Sequence, residues 1–264
     1  MKKLQSISVV TGAASGIGRA IAIHAAQLGH TVVATDRETE GLNSLLPELQ
    51  KQNSNSFVQA VDVTNTAELE ALADQVFARF GHVNYLFNNA GTVINADLLD
   101  QSADQWRRVI EVNLMGVVNG ILAFVPKMKT QRCRGHVTNT GSVASFIAGP
   151  GLASYSATKM AVRGVSETLQ FELAMAGADV GVSILCPGPV ETPILAASGI
   201  AAENIGDTPI DDTGVTSPPD LMEAISPRRC AEIVFAGIEA GQFAIFTHPG
   251  YKDVAREMIG AHLV

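Results

Sequence analysis

The chain has 264 residues, 47% of them hydrophobic and only 5% aromatic, with a formal net charge of −8. That is enough apolar material for one large α/β domain or two small ones. The acidic balance, without any cluster of Lys and Arg, argues against nucleic acid or an anionic membrane surface as a partner.

In chain order, the apolar stretch after Met1-Lys2-Lys3-Leu4 is broken by Gln5, Ser6 and Ser8. It is too short and polar for a secretion signal. Ile7 to Val10 reads as a strand, followed by a helix from about Gly16 to Gly29. Between them lies Thr11-Gly12-Ala13-Ala14-Ser15-Gly16-Ile17-Gly18. Glycines there let the backbone turn tightly and let a pyrophosphate approach the helix N-terminus, where free N–H groups and the positive dipole end favour an anion. The spacing is G-x-x-x-G-x-G, and its bland alternative is a structural turn. Thr31 to Thr35 is a second strand, closed by Asp36. A carboxylate there can accept from ribose hydroxyls and repels a 2′-phosphate, which favours NAD. Arg37 next to it could bind that phosphate instead. A simple helix cap is the structural alternative for Asp36.

Further strands are expected at Phe57 to Val61, Tyr85 to Phe87, His136 to Thr138, Val180 to Leu185 and Phe243 to Phe246. Helices are expected near Glu38 to Gln50, Ala67 to Phe80, Ala103 to Met128, Ser154 to Met175 and Arg228 to Glu239. Repeated βα units predict a doubly wound parallel sheet of about seven strands, helices on both faces, in one α/β Rossmann-like domain over 1–264. The helix around Trp106 to Val125 is apolar nearly all round, so one side should meet the sheet and the other a second subunit. No stretch is expected to be apolar enough to span a membrane. Cys133, Cys186 and Cys230 show no disulfide or metal spacing, which fits a reducing cytoplasm and no bound metal. Residues 188–227 mix Pro, Gly, Asp and Thr. A connection this long beside the carboxyl ends of the strands predicts a substrate lid, with a short helix near Pro219 to Ala224.

Tyr155 and Lys159 stand four apart in the helix that follows Ser142. One helical turn puts both on one face, and a neighbouring cation favours phenolate, as a tyrosine base needs near pH 7–9. Alone, such a pair usually means a solvated helix face. Ser142 alone could be an ordinary turn residue, and Asn113 a kink or a satisfied buried amide.

Together, Thr11-Gly12-x-x-x-Gly16-x-Gly18, Asn88-Asn89-Ala90-Gly91, Asn113, Ser142, Tyr155-x-x-x-Lys159 and Pro187-Gly188 occur in order. The chain resembles the short-chain dehydrogenase/reductases of roughly 250 residues, at motif level from about Gln5 to Pro193. The resemblance implies an NAD(P)-dependent oxidoreductase acting on CH–OH groups, usually a homodimer or homotetramer. It implies Tyr155 as general acid/base and Lys159 as the residue that lowers its pKa and binds the nicotinamide ribose. Ser142 would hold the substrate oxygen, and Asn113 would help hold a water linking Lys159 to solvent. For the cofactor it implies Gly12, Ser15, Gly16, Ile17 and Gly18, then Asp36 and Arg37, Asp62 with Val63 at the adenine, and Asn89, Ala90 and Gly91 at the adenosine. Pro187, Gly188, Val190 and Thr192 would flank the nicotinamide.

The expected substrate is a neutral, fairly hydrophobic secondary alcohol or ketone. The expected pocket is lined by Ser142, Ala144, Phe146, Leu152, Tyr155, Ile194 and Leu195, with NAD preferred over NADP. An NADP-dependent carbonyl reductase or a polyol dehydrogenase is the alternative, and a non-catalytic NAD-sensing regulator a remote one. His248 reads as a surface or packing residue.

Overall fold

The computed structural model describes residues 5–194 and 223–261. Seven strands form one sheet: β1 (Ile7–Thr11), β2 (Thr31–Asp36), β3 (Phe57–Ala60), β4 (Tyr85–Asn88), β5 (Gly135–Thr140), β6 (Val180–Cys186) and β7 (Ala244–Phe246). Their order is β3-β2-β1-β4-β5-β6-β7, and every pair is parallel. Runs such as Val9-Val10 and Val32-Val33 are buried on both faces, as a parallel sheet covered by helices requires.

The helices are α1 (Gly16–Gln27), α2 (Thr39–Gln52), α3 (Thr66–Phe80), α4 (Ala103–Ile110), α5 (Gly116–Met128), α6 (Ala153–Met175), α7 (Pro227–Glu239) and α8 (Tyr251–Ala261). One face of the sheet is covered by α1, α2 and α7, meeting at Ile21, Leu42, Leu45 and Val234. The other is covered by α3, α5 and α6, through Leu72, Val76, Phe124 and Leu173. Local chemistry sets several ends. Asn65 accepts from the Ala67 and Glu68 amides to start α3, and Gly81, at φ 77°, ends it. Ser226 caps α7, with Pro227 in its first turn.

The strand order reverses between β1 and β4, and ligands bind in the crevice at such a switch point. The two loops that flank it are Gly12–Ser15 after β1 and Asn89–Gly91 after β4.

Four expectations need correcting or bounding. The single helix over Ala103–Met128 is broken by a π turn at Glu111–Met115, around the buried Asn113. That same stretch of 26 residues is apolar enough to cross a membrane by length and composition, with a mean hydropathy of 1.7 in its best window. Half of that window is buried inside the domain. Helix α8 was not expected; its signal is Pro249-Gly250 ahead of an amphipathic turn with Val254 and Ala255 buried. Most of the expected lid, including its short helix and Leu195, lies outside the described residues.

Helix α5 approaches β4 through Gly120. A Cβ there would stand 2.1 Å from Asn88 Oδ1. Asn88 cannot easily move, because its Nδ2 donates to Asn139 Oδ1 at 2.9 Å, and Asn139 Nδ2 donates to Ser166 Oγ at 2.9 Å. Gly120→Ala is therefore expected to lower the unfolding free energy by about 1–3 kcal/mol, despite alanine's better helix propensity. Urea denaturation measures this; an unchanged or raised midpoint would mean the Asn88 chain yields.

Candidate active site

A cavity of about 1040 Å³ runs along the carboxyl ends of the strands. At one end stands the glycine loop. Gly12 and Gly16 have φ of +67° and +55°, a region that favours glycine. A Cβ on Gly12 would meet Ala90 Cα at 2.7 Å, so the loop after β4 packs directly upon it. Thr11 Oγ1 fastens the two loops by accepting from Asn89 N at 2.9 Å and Ala90 N at 3.1 Å. Asn89 Nδ2 donates back to Thr11 O. Gly18 lies on the inner side, where a Cβ would stand 2.2 Å from Gly12 O. It lets α1 close on the loop and is not on the cavity wall, unlike Gly12, Ser15, Gly16 and Ile17.

Ser15 precedes α1 without a side-chain cap, and the first turn of α1 has no acidic residue. The amides at this helix start and the positive dipole end thus face the cavity uncancelled, which suits a pyrophosphate. Asp36 is held rigidly at the end of β2: Oδ2 accepts from Ala14 N at 3.1 Å and Oδ1 from Glu38 N at 3.0 Å. The helix-cap role belongs to Glu38, whose carboxylate accepts from Glu40 N and Gly41 N, each at 2.7 Å. Glu38 lines the cavity beside Asp36 and Arg37, adding a second carboxylate that the sequence pattern did not single out. Asp62, Val63, Asn89, Ala90 and Gly91 also line it, as do Pro187, Gly188, Val190 and Thr192.

At the other end are Ser142, Tyr155 and Lys159. Ser142 closes β5 and opens a 3₁₀ turn, Val143–Ser145. Its Oγ accepts from Ala144 N at 3.1 Å and donates to Pro187 O at 3.5 Å. Ser145, which no motif marked, donates to Lys159 O at 2.9 Å and accepts from Ser142 N at 3.2 Å. It thereby ties the serine to the helix of the pair. Lys159 is 3% exposed. Its Nζ donates to Thr140 O at 2.7 Å and stands 5.5 Å from the centre of the Tyr155 ring. Burial pulls the Lys159 pKa down to about 8, with the nearby Cys186 acting the other way.

Tyr155 departs from expectation. Burial raises its pKa, and hydrogen bonding with Ser142 offsets part of that rise. The expected lowering by Lys159 does not dominate, because the ammonium faces the ring and is committed to the Thr140 carbonyl. Asn113 is fully buried and its side chain is satisfied. Its Oδ1 accepts from Thr92 N at 2.7 Å, and Nδ2 donates to Thr92 O at 2.9 Å and Thr158 Oγ1 at 3.3 Å. Both amide protons are spent, so the side chain is a brace between the π turn, the loop after β4 and α6.

On the substrate side, Leu152 and Ile194 line the cavity with Ser142 and Tyr155, while Ala144 and Phe146 do not. The 3₁₀ turn points them inward: Ala144 is buried, and the Phe146 ring packs 5.3 Å from Phe246 beneath the Arg163 guanidinium. The wall also includes Thr92, Val93 and Asn95 after β4, Arg108 and Glu111, Pro150, and Tyr251 from α8. These carry no motif, and only the fold brings them here. No group of three or more possible metal ligands occurs among the described residues.

A family model described as "short chain dehydrogenase" matches residues 6–202. The 1-deoxy-11-beta-hydroxypentalenate dehydrogenase of Streptomyces avermitilis is 35% identical over 245 residues, covering 92% of this chain and 84% of that one. Among solved structures, a short chain dehydrogenase/reductase from Burkholderia phymatum in complex with NAD has a TM-score of 0.82 at 32% identity, covering 97% of this chain and 94% of that one. An alcohol dehydrogenase from the archaeon Thermococcus sibiricus, complexed with 5-hydroxy-NADP, has a TM-score of 0.76 at 28% identity, covering 92% and 95%.

The lowered Lys159 pKa makes a stability prediction with a definite sign. The folded pKa, about 8, lies below the model value of 10.5. Between those values the unfolded chain holds the proton more tightly, so this group's contribution to stability rises with pH. Relative to Lys159→Met, the unmodified protein should gain about 2 kcal/mol in unfolding free energy between pH 7 and pH 9.5. Denaturant titrations of both proteins measure the difference; a gap that stays flat with pH would contradict the buried, strained ammonium.

Proposed function

The chain belongs to the short-chain dehydrogenases, NAD(P)-dependent oxidoreductases of CH–OH groups, and on that premise we propose that it interconverts a neutral secondary alcohol and its ketone with NAD, Tyr155 exchanging the proton. One observation carries this reading. Ser142, Tyr155 and Lys159 meet in the same cavity as the glycine loop and Asp36, so a bound dinucleotide and an alcohol can share it.

When bound, the nicotinamide supplies the hydride chemistry. Ser142 donates to the substrate oxygen and orients it toward the phenol. Tyr155 takes the hydroxyl proton in oxidation and returns it in reduction. Lys159 stabilises the phenolate by its charge. The start of α1 holds the pyrophosphate, and Asp36 accepts from the adenosine ribose hydroxyls. Two carboxylates, Asp36 and Glu38, line this end of the cavity against one exposed Arg37, and on this reading they would disfavour a 2′-phosphate. This balance supports NAD, the cofactor in the Burkholderia phymatum relative. The other relative, from Thermococcus sibiricus, holds an NADP derivative, which makes the choice a matter for these side chains.

Val93, Val143, Pro150, Leu152 and Ile194 supply apolar wall, with Thr92 and Asn95 as its neutral polar groups. That lining supports a neutral, largely hydrophobic substrate. Self-association belongs to the same reading: Leu122 on α5 and Phe171 and Met175 on α6 are 61%, 67% and 89% exposed. Exposed apolar side chains of this size support a homodimer or homotetramer, which light scattering on the purified protein reads directly. Cys133, Cys186 and Cys230 are free, in keeping with a cytoplasmic setting.

Absorbance of the reduced cofactor during incubation with 1-phenylethanol, cyclohexanol and the charged 3-hydroxybutyrate tests the substrate class. The neutral alcohols should be oxidised and the anion not; oxidation of the anion alone would overturn it. With NAD, kcat/KM should exceed the NADP value by at least about tenfold, the factor that roughly 1.4 kcal/mol of like-charge repulsion gives. Asp36→Ala should shrink that ratio. A preference for NADP in the unmodified protein would refute the role given to Asp36 and Glu38.

A further inference from the structure

His248 is 6% exposed and sits where three chain segments meet, behind Gly188 and Tyr251 of the cavity wall. The expectation of a packing residue is met, and its hydrogen bonds go further. Its Nε2 lies 2.9 Å from Glu223 O, and its Nδ1 lies 2.8 Å from Thr247 Oγ1. A carbonyl only accepts, so Nε2 carries the proton; in the neutral ring Nδ1 then accepts from the Thr247 hydroxyl. The oxygen of that hydroxyl accepts in turn from Gly188 N at 3.0 Å. A single tautomer thus satisfies a chain running from the Gly188 amide through Thr247 and His248 to the Glu223 carbonyl.

Both ends of this chain are tied to the reaction site. Gly188 follows Pro187, whose carbonyl accepts from Val143 N at 3.0 Å and from Ser142 Oγ at 3.5 Å. Glu223 leads into Ile225, which pairs with the other segment: Ile225 N donates to Pro189 O at 3.1 Å and Glu191 N to Ile225 O at 3.0 Å. Packing leaves no slack. A Cβ on Gly188 would stand 2.6 Å from His248 Nδ1 and 2.8 Å from Tyr251 Cε2. The His248 ring meets Tyr251 edge-on at 6.1 Å, and both Gly188 and Tyr251 line the cavity.

We propose that His248 is a positioning residue for the reaction, acting through two separable arms. Through Thr247 it fixes Gly188 and Pro187, and with them the Ser142 hydroxyl. Through Glu223 it fixes the pairing of Val190, a cavity residue, with Ile225. The kinetic consequence rests on the oxidoreductase reading above; the two-arm geometry does not.

Three substitutions separate the arms. His248→Asn places an acceptor near the Nδ1 position and keeps the Thr247 arm. His248→Gln reaches the Nε2 position and keeps the Glu223 arm. His248→Phe keeps the ring and loses both. Hydrogen exchange on the protein without added cofactor reads the arms directly. In His248→Asn the Gly188 amide should stay protected while the Glu191 and Ile225 amides exchange about tenfold faster. In His248→Gln the pattern should reverse, and in His248→Phe both sets should speed up.

With NAD and 1-phenylethanol, His248→Asn should raise KM about tenfold with kcat held, and His248→Gln should lower kcat about tenfold with KM held. Equal changes at all three amides in every variant, or no change in any, would overturn the proposal. If His248→Phe does not fold, Thr247→Val cuts the Gly188 arm with the ring intact and must reproduce the His248→Gln pattern. Absence of turnover by the unmodified protein would count against the function proposed above, while the exchange pattern would still decide the two-arm role.

Discussion

An ammonium held almost out of water, against the carbonyl that ends β5, is the constraint around which this site is arranged. Lys159 Nζ donates to Thr140 O at 2.7 Å and faces the Tyr155 ring at 5.5 Å. Burial disfavours charge on both groups, lowering one pKa and raising the other. Left to burial alone, the phenol would be a poor base. At the ring separation, attraction between an ammonium and a phenolate is on the order of 3 kcal/mol at an effective dielectric of about 20. That corresponds to roughly two pKa units, which works against the rise that burial causes. The pair is therefore costly apart and cheap together. Ser142 adds a donor on the same side.

The sheet delivers these groups to one place. Because β4, β5 and β6 are parallel neighbours, their carboxyl ends present the Asn89 loop, Ser142 and Pro187 along one rim. The order reversal beside β1 opens the crevice that the glycine loop borders. Thr11 and Asn89 close one side of it, and Asn113 braces the loop after β4 to α6 from below. The polar atoms that might have served a ligand in Asn113 are used to hold backbone. Apolar packing of α5 and α6 supplies the stiffness that keeps those short contacts in register.

Much of this was legible from residue order. Strand and helix positions followed from apolar period and from Gly, Ser and Asn at element ends, and the helices ended within about two residues of expectation. The glycine loop, Asp36, Ser142, Tyr155 and Lys159 are marked by residue type and spacing, so they could be singled out without coordinates, and they line one cavity. Ala144 and Phe146 could not be placed, because a 3₁₀ turn reverses which side chains face the cavity, and no period reveals so short a turn. Glu38 and Ser145 stand two and three positions from Asp36 and Ser142 but carry no motif of their own, while Tyr251 reaches the site through tertiary packing. Asn113 was legible as a kink or a satisfied buried amide, but the groups that satisfy it were not, since they lie 21 and 45 positions away.

The central claim is that Tyr155 exchanges the substrate proton while the dinucleotide is held elsewhere. Replacement of that one hydroxyl tests it most directly. Tyr155→Phe, assayed with an alcohol that the unmodified protein oxidises, should lose at least about a thousandfold in kcat, within the range assigned to general acid–base catalysis. NAD affinity, measured by fluorescence titration, should change by less than about threefold, because the glycine loop and Asp36 are untouched. Turnover retained in Tyr155→Phe would contradict the account.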